Sequence, residues 1–364
     1  MTQKYYSPNA INRKNATYNV IFGERSNGKT YALLKQGIEQ YLKDGSQLAY
    51  VRRWKEDITG RRASRLFSAL CENGEVEKLS NGEYTGVHYW AGKWYLCTYD
   101  DNGKAIYSDL DIICFSFALS DGEHDKSTSF PKINTIVFDE FLTSKIYLQD
   151  EFVLFMNTIS TIVRKRDNVK IYMLGNTVNK YCPYFAEMGL EHIQKQKQGT
   201  IDVYKYGDSK LTVAVEYCAS VQDKNSPTVN KYFAFNNPKL EMITGGAWEL
   251  SLYPHLPYKY KPKNVILTYY IEFNDNIYAC ESIELNDLVF TYIHAKTTPI
   301  NKPDNHLIYS LEYNPKPNYI RSIFKPMNKA QNMILWFFKH DKVFYQNNNI
   351  GDAISNYLKT CKRI

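Results

Sequence analysis

One octapeptide limits this chain more than anything else in it: Gly23-Glu24-Arg25-Ser26-Asn27-Gly28-Lys29-Thr30 spells G-x-x-x-x-G-K-[ST] in full. Before it, Tyr18 to Phe22 is a short β-prone run; after it, Thr30 to Leu42 has helical spacing of apolar residues. Strand, glycine loop and helix in this order form a phosphate-binding device of the Walker A kind. The two glycines let the backbone wrap closely around phosphate oxygens, and amide hydrogens plus the positive end of the helix dipole oppose anionic charge. Lys29 would reach the β- and γ-phosphates of ATP, and the Thr30 hydroxyl would ligate Mg²⁺. All eight residues, Gly23 to Thr30, are therefore candidate nucleotide contacts. The plain alternative is a chance glycine turn before a helix.

The pattern beyond the loop extends the same architecture. The helix stops near Asp44-Gly45, and Gln47 to Arg52 reads as a second strand, as a parallel βαβ unit requires. From Glu75 to Asp111 the pattern changes to short Tyr- and Trp-rich runs broken at Asn73-Gly74, Asn81-Gly82 and Asn102-Gly103, which predicts an inserted β-meander. Ile133 to Phe138 is a nearly continuous apolar strand, Phe152 to Val163 a helix, and Val169 to Leu174 another apolar strand capped by Gly175-Asn176. Past Tyr181 come a polar helix-like stretch with Lys195 and Lys197, alternating segments, and a Pro-rich passage from Tyr253 to Pro262. The expected division is an ATPase domain over 1–190, a linker region over 191–255 and an α+β domain over 256–364. In the last, Val265 to Cys280 reads as a hairpin turning at Asn274-Asp275-Asn276, and Gln331 to Phe338 and Ala353 to Leu358 read as helices.

Three further elements carry chemistry. Thr135-Ile-Val-Phe-Asp139-Glu140 is an apolar strand ending in two carboxylates, the form of a Walker B element. Asp139 would hold Mg²⁺, usually through a water, and Glu140 would polarise the attacking water as general base. A solvated Asp-Glu turn is the plain alternative; the adjacent Glu is what argues for hydrolysis over binding. Asn176, in Leu174-Gly175-Asn176-Thr177, could sense the γ-phosphate or orient the water, or simply form a turn. The 110 positions between Lys29 and Asp139 leave room for an additional strand, which favours the additional-strand (ASCE, RecA-like) class of P-loop ATPases over compact GTPases.

Arg164-Lys165-Arg166 follows the Phe152 to Val163 helix. In ring ATPases an arginine reaching across the subunit boundary neutralises charge on the transferred phosphoryl group, an effect of roughly 10³ to 10⁵ in rate. Arg164 is the candidate; a solvated basic loop or a DNA contact is the alternative. Arg52, Arg53, Lys55, Arg61, Arg62 and Arg65 crowd behind the second strand, where they could face phosphates of nucleotide or nucleic acid, or only solvent.

Composition sets the frame. The 364 residues carry a net charge of +7, which suits a nucleic-acid partner without requiring one, and 44% apolar with 23% charged residues describe a folding chain. Seven cysteines without a CxxC pair signal neither a disulfide framework nor a zinc site, and no apolar run of about 18 residues suggests a membrane span. A cytosolic protein is expected.

With these residues in hand, the chain resembles the DNA-packaging ATPases of phi29-like tailed bacteriophages. The match runs through Ile21-Phe22-Gly23 to Thr30, Tyr50-Val51-Arg52-Arg53-Trp54-Lys55, Thr135 to Phe141, Arg164 to Asn176, and Pro183-Tyr184-Phe185, about the first half of the chain. The resemblance implies a homomeric ring, a pentamer, at the portal (connector) of an empty capsid. It would drive double-stranded DNA inward with ATP, with a packaging RNA as a further possible partner and no membrane. It implies a host-cytoplasmic protein, transiently at the procapsid portal and absent from the mature virion. Arg164 matches the family's trans-acting arginine finger, and Arg25 a family arginine in the phosphate loop.

The family's second domain resembles an RNase H-like nuclease that has lost its cleaving carboxylates. Glu272, Asp275, Glu281 and Glu284 are the acids available here for two-metal chemistry, scattered through a hairpin. Lys259, Lys261 and Lys263 among Tyr258 and Tyr260 suit phosphate contact with some stacking. Two other functions stay open: a terminase-like protein whose C-terminal domain cuts DNA, and a nucleotide-gated capsid adaptor that binds ATP without hydrolysing it.

Overall fold

A computed structural model describes residues 5–121, 128–143, 147–148, 150–176, 182–219, 253–273 and 276–361. The chain forms two compact units, the first holding nearly all described residues up to 219 and the second those from 253 onward.

The first unit is a ten-stranded mixed sheet. In chain order its elements are β1 (Tyr18–Gly23), α1 (Lys29–Asp44), β2 (Gln47–Arg52), β3 (Gly86–Trp90), β4 (Lys93–Tyr99), β5 (Ala105–Ile106), β6 (Ile112–Ala118), β7 (Ile133–Asp139), α2 (Glu151–Val163), β8 (Lys170–Asn176), β9 (Thr200–Lys205) and β10 (Thr212–Tyr217). Neighbours run β3-β4-β6-β2-β7-β8-β1-β10-β9, with β5 beside β4. The strands from β6 to β10 are parallel, and antiparallel pairs finish both edges. β1, β7 and β8 are buried almost without a break, which is why their sequences read as apolar runs rather than alternating ones. α1 buries Leu33, Leu34 and Ile38, and Gly37 lets it lie directly on Leu48 of β2. It ends at Gly45, whose left-handed backbone closes the last turn.

Strand β8 lies between the phosphate-loop strand β1 and the carboxylate strand β7. An additional strand is therefore present, but it comes from after Asp139 rather than from the 110 residues before it. That interval also builds one edge of the sheet: the expected antiparallel meander is present as β3, β4 and β6, with β5 returning on β4 through Asn102-Gly103, but it begins at Gly86 rather than Glu75 and is part of the main sheet. Glu75–Leu79 is a helical turn, one of three between residues 60 and 79, and β3, β4 and β6 continue the main sheet. The tight β3–β4 hairpin turns on Ala91-Gly92, with φ +47° and +81°. Asn73-Gly74 leads into a helix and Asn81-Gly82 follows one, because a helix end requires positive φ as a hairpin does.

The expected linker over 191–255 also differs. Its residues 200–217 form β9 and β10, and β10 pairs in parallel with β1 from Tyr18 opposite Val213 to Phe22 opposite Tyr217. Alternation over only six residues per strand, with β9 half exposed at the edge, resembles loop in sequence.

The second unit is a six-stranded sheet in the order β15-β14-β11-β12-β13-β16. Its elements are β11 (Val265–Phe273), β12 (Asn276–Leu285), β13 (Leu288–Lys296), β14 (Ile308–Ser310), β15 (Tyr319–Ile320), α3 (Lys329–Lys339), β16 (Val343–Tyr345) and α4 (Asn348–Cys361). β11 to β13 are an antiparallel meander, and β14, β15 and β16 join in parallel. Asn274 and Asp275 of the expected turn lie outside the described residues, as does Thr177. One sheet face, with Tyr269, Ile271, Cys280 and Ile293, is covered by Ile334 and Phe337 of α3 and Ile354 and Tyr357 of α4. α4 comes so near the chain at Tyr253 that a Cβ on Gly351 would stand 2.2 Å from Tyr253 Cγ. Gly351→Ala is therefore expected to lose ~1–3 kcal/mol of stability through overpacking. Urea denaturation should show a lowered midpoint that the additional change Tyr253→Ala partly restores.

Candidate functional site

The phosphate loop owes its shape to two glycines with different tasks. Gly28 adopts φ +88° as it turns the chain into α1, a conformation that a Cβ disfavours. Gly23 has ordinary backbone angles, but Cys218 at the end of β10 lies so close that a Cβ there would sit 2.8 Å from the Cys218 Cβ. Helix α1 has no acid in its first turn, and its Lys29 amide donates to Asn27 Oδ1 at 3.3 Å, so no carboxylate of its own neutralises the positive end of its dipole.

Lys29 is buried, and burial lowers its ammonium's pKa. Its Nζ donates to the Glu24 carbonyl at 2.7 Å, to Asn27 Oδ1 at 3.0 Å and to Asn176 Oδ1 at 3.3 Å. The third contact joins the loop to the end of β8, so Asn176 is brought to the site. Thr30 Oγ1 donates to Asp139 Oδ2 at 2.9 Å, and Tyr50 on β2 donates to the same oxygen at 2.8 Å. The Glu140 amide donates to Asp139 Oδ1 at 2.9 Å, which leaves the carboxylate aimed at the loop. Burial and the Asp139 charge push the Tyr50 phenol well up, so Tyr50 stays protonated and donates to Asp139 while its oxygen accepts from Arg52. One hydroxyl and one carboxylate, both hard oxygen donors, fit Mg²⁺, which takes most of its remaining ligands from water and substrate phosphates.

A cleft of about 240 Å³ is lined by Ser26 to Tyr31, Asp139, Glu140, Gly175 and Asn176. Gly23, Glu24 and Arg25 do not line it: Glu24 is buried and supplies its carbonyl to Lys29, and Arg25 is exposed. Glu140 stands at φ +58° with its carboxylate taken by Arg52 Nη2 at 2.6 Å. Arg164 caps α2 with φ +39°, is exposed, and does not line the cleft. Arg166 is spent on structure, donating to the carbonyls of Phe130, Pro131 and Ile162.

The basic crowd behind β2 is correspondingly sorted. Arg53 is buried and grips Glu151 at the start of α2 with two hydrogen bonds, 2.6 and 2.8 Å. It also donates to the carbonyls of Glu140 and Phe141, at 3.1 and 2.8 Å. Tyr184 donates to the same Glu151 carboxylate at 2.9 Å. Lys55 pairs with Asp121 and Arg62 with Asp57, while Arg61 and Arg65 are exposed. Arg52 and Arg53 thus face carboxylates of the protein itself. Tyr50 and Glu151 were missed in sequence as site residues, and Arg53, read there as facing phosphates, instead pairs with Glu151; a strand tyrosine and an Arg-Glu pair 98 positions apart give no local signal.

In the second unit the acids stand apart. Glu281 lies opposite Thr268 and Glu272 opposite Ile277, four residues along β11, about 14 Å at ~3.4 Å per residue. Metals of a two-metal site are only ~3.5–4 Å apart. Glu281 accepts from Tyr260 and lies 3.9 Å from His294, and Glu272 is pushed up by burial and by Glu312. Asp275 lies outside the described residues. The Tyr260 ring packs toward Tyr292 and the Tyr258 ring toward Phe290, but Tyr258 is 43% exposed and stays at the surface with Lys259, Lys261 and Lys263, so internal packing takes up only Tyr260. Among the described residues no group of three His, Cys, Asp or Glu is placed to hold a metal, and no helix is long and apolar enough to cross a membrane.

Residues 2–206 match the family model described as Podovirus DNA encapsidation protein (Gp16), more than half of the chain. The chain belongs to this encapsidation family. It is 27% identical to the DNA packaging protein of Bacillus phage phi29 over 189 residues, 51% of this chain and 50% of that one. It is 28% identical to the DNA packaging protein of Bacillus phage B103 over 175 residues, 47% and 48% of the two. The chain thus spans about half the length of the curated relatives it matches. In fold it is similar to the solved Phi-28 gp11 DNA packaging motor, with a TM-score of 0.60, 17% identity and 99% of each chain covered. It is also similar to the bacteriophage Phi-29 viral genome packaging motor assembly, with a TM-score of 0.58, 19% identity, and 98% of this chain and 99% of that one covered.

For this encapsidation-family chain the buried Arg53–Glu151 pair yields a direct expectation. Arg53→Met leaves a buried carboxylate unpaired and should cost ~3–5 kcal/mol, read as a lowered urea midpoint. Adding Glu151→Leu should recover most of that loss.

Proposed function

We infer that this chain is the ATP-hydrolysing subunit of a viral DNA-packaging motor, and that it drives double-stranded DNA into a preformed capsid. The observation that carries the reading is the Thr30–Asp139 hydrogen bond across the cleft, with Lys29 and Glu140 lining the same space. Family membership and the additional-strand order of the sheet support it.

The roles follow from position. The α1 amino terminus and Lys29 bind the phosphates of ATP, for which Lys29 exchanges its contacts with the Glu24 carbonyl and Asn27. Thr30 and Asp139 would hold Mg²⁺, whose charge offsets that of the phosphate oxygens when bound. Glu140 is the general base for water once its carboxylate leaves Arg52, and Asn176 orients the γ-phosphate side of the cleft. Arg164, exposed at the end of α2, acts in trans on the neighbouring subunit of a homomeric ring, a pentamer in this reading. The ring works at the portal in the host cytoplasm, with a packaging RNA as a possible further partner. The second unit is proposed as an RNase H-like fold that contacts nucleic acid or portal without cutting. A motor that moves any sequence grips the phosphate backbone, so binding should weaken steeply with salt.

Phosphate release measured with and without double-stranded DNA tests the proposal. DNA-stimulated release is expected from the unaltered protein, with losses of at least about a hundredfold in Lys29→Ala and Glu140→Gln, in keeping with the ~10²–10⁴ attributed to general-base catalysis. Arg164→Ala subunits should regain turnover in rings mixed with Glu140→Gln subunits. Nucleotide binding without any release would establish the adaptor reading instead, and metal-dependent nicking would establish the nuclease.

A further inference from the structure

Helix α3 of the second unit buries Gln331, Ile334, Leu335 and Phe337 and turns Lys329, Asn332, Trp336, Lys339 and His340 outward. These five recur at three- and four-residue spacing, so they share one face about 16 Å long at ~1.5 Å per residue. Trp336 is 43% exposed, a costly placement for the largest apolar side chain in the middle of a helix. Its indole is not loose: the His340 ring stacks on it at 4.5 Å between centroids and 23° between planes. His340 Nδ1 lies 2.9 Å from the Trp336 carbonyl, which fixes the imidazole in that position. One face of the indole is thus braced by His340, the Phe337 ring meets the indole edge-on at 5.7 Å and 76°, and enough of the ring is exposed to receive a second flat group.

Charge decides what that group is. Between Lys325 and Lys342 the sequence holds four lysines against Asp341 as the only acid, and the helix face itself carries Lys329 and Lys339 with no carboxylate. A braced ring with an ammonium one to two turns away on either side matches a base next to its own phosphates. A duplex hides its base faces by stacking them on each other, so the match is to unpaired nucleotides.

We propose that the outer face of α3 binds unpaired nucleic acid, with a base stacked on Trp336 and adjacent phosphates on Lys329 and Lys339. This goes beyond the cleft and does not rest on ATP turnover. Oligo(dT) and oligo(U) meet the same chemistry, and comparing them separates a DNA source from an RNA source.

Fluorescence anisotropy of the full chain with labelled 20-nucleotide oligo(dT), 20-nucleotide oligo(U) and a 20-base-pair duplex provides the test. Trp336→Ala should weaken binding of at least one single strand by roughly tenfold, and Trp336→Phe should retain most of it. Lys329→Ala with Lys339→Ala should flatten the dependence of log affinity on log salt by about 1.4, at ~0.7 per phosphate contact in single strands. Both variants should keep the unaltered protein's phosphate release without nucleic acid. Unchanged binding of both single strands by Trp336→Ala, or a loss confined to the duplex, would overturn the proposal and leave the motor reading untouched. A loss shared equally by Trp336→Phe would also overturn it, by showing that the side chain serves packing rather than stacking.

Discussion

The cleft depends on one carboxylate held by neighbours from several parts of the chain. Asp139 sits at the end of a strand separated from the phosphate loop by β8, yet it accepts Thr30 from the first turn of α1 and Tyr50 from β2. Such a contact forms only if three parallel strands end within two residues of one another, so the sheet's register is what gives the site its dimensions. β1 meets β8 with Gly23 opposite Asn176, and β8 meets β7 with Leu174 opposite Asp139. Slipping any pair by one residue would turn the carboxylate to the other face.

Behind this row Arg53 links backbone and helix. It holds the carbonyls just after Asp139 and the carboxylate that begins α2, so the segment carrying Glu140 and the helix ending at Arg164 share one buried guanidinium. Buried ion pairs of this kind define geometry more than they add stability. Arg52, its neighbour in sequence, points instead to the Glu140 carboxylate. The last residue of β2 and the one just after it thus take different tasks, Arg52 on the side chain of Glu140 and Arg53 on its main chain.

Sequence revealed what local pattern encodes. The phosphate loop, the two carboxylates and the central buried strands have residue types dictated by nearby chain, and each occurs where expected: β7 ends at Asp139 and α1 starts at Lys29. The elements that escaped were settled by distant partners. β9 and β10 looked like linker because their burial comes from β1, nearly 200 positions earlier. The Asn-Gly pairs signalled positive φ at their glycines, and Asn102-Gly103 turns a hairpin as expected, but the other two serve helix ends. Tyr258 and Tyr260 suggested stacking, and only the fold reveals that Phe290 and Tyr292 lie beneath them. Trp336 shows the converse, since an apolar run at helical spacing does not indicate which of its members is left outside.

The parallel pairing of β10 with β1 also says how much chain the phosphate loop needs. The family's matched region closes at residue 206, inside the β9–β10 hairpin, whereas Cys218, beyond it, donates its amide to the Phe22 carbonyl and packs on Gly23. A protein cut back to its recognisable motifs would keep every residue that lines the cleft and still expose one whole edge of β1, a row of unpaired amides and carbonyls beside apolar side chains. Open edges of that kind recruit other strands. The smallest self-sufficient piece of the first unit is therefore set by where its last parallel strand ends, some thirty residues past the final sequence motif.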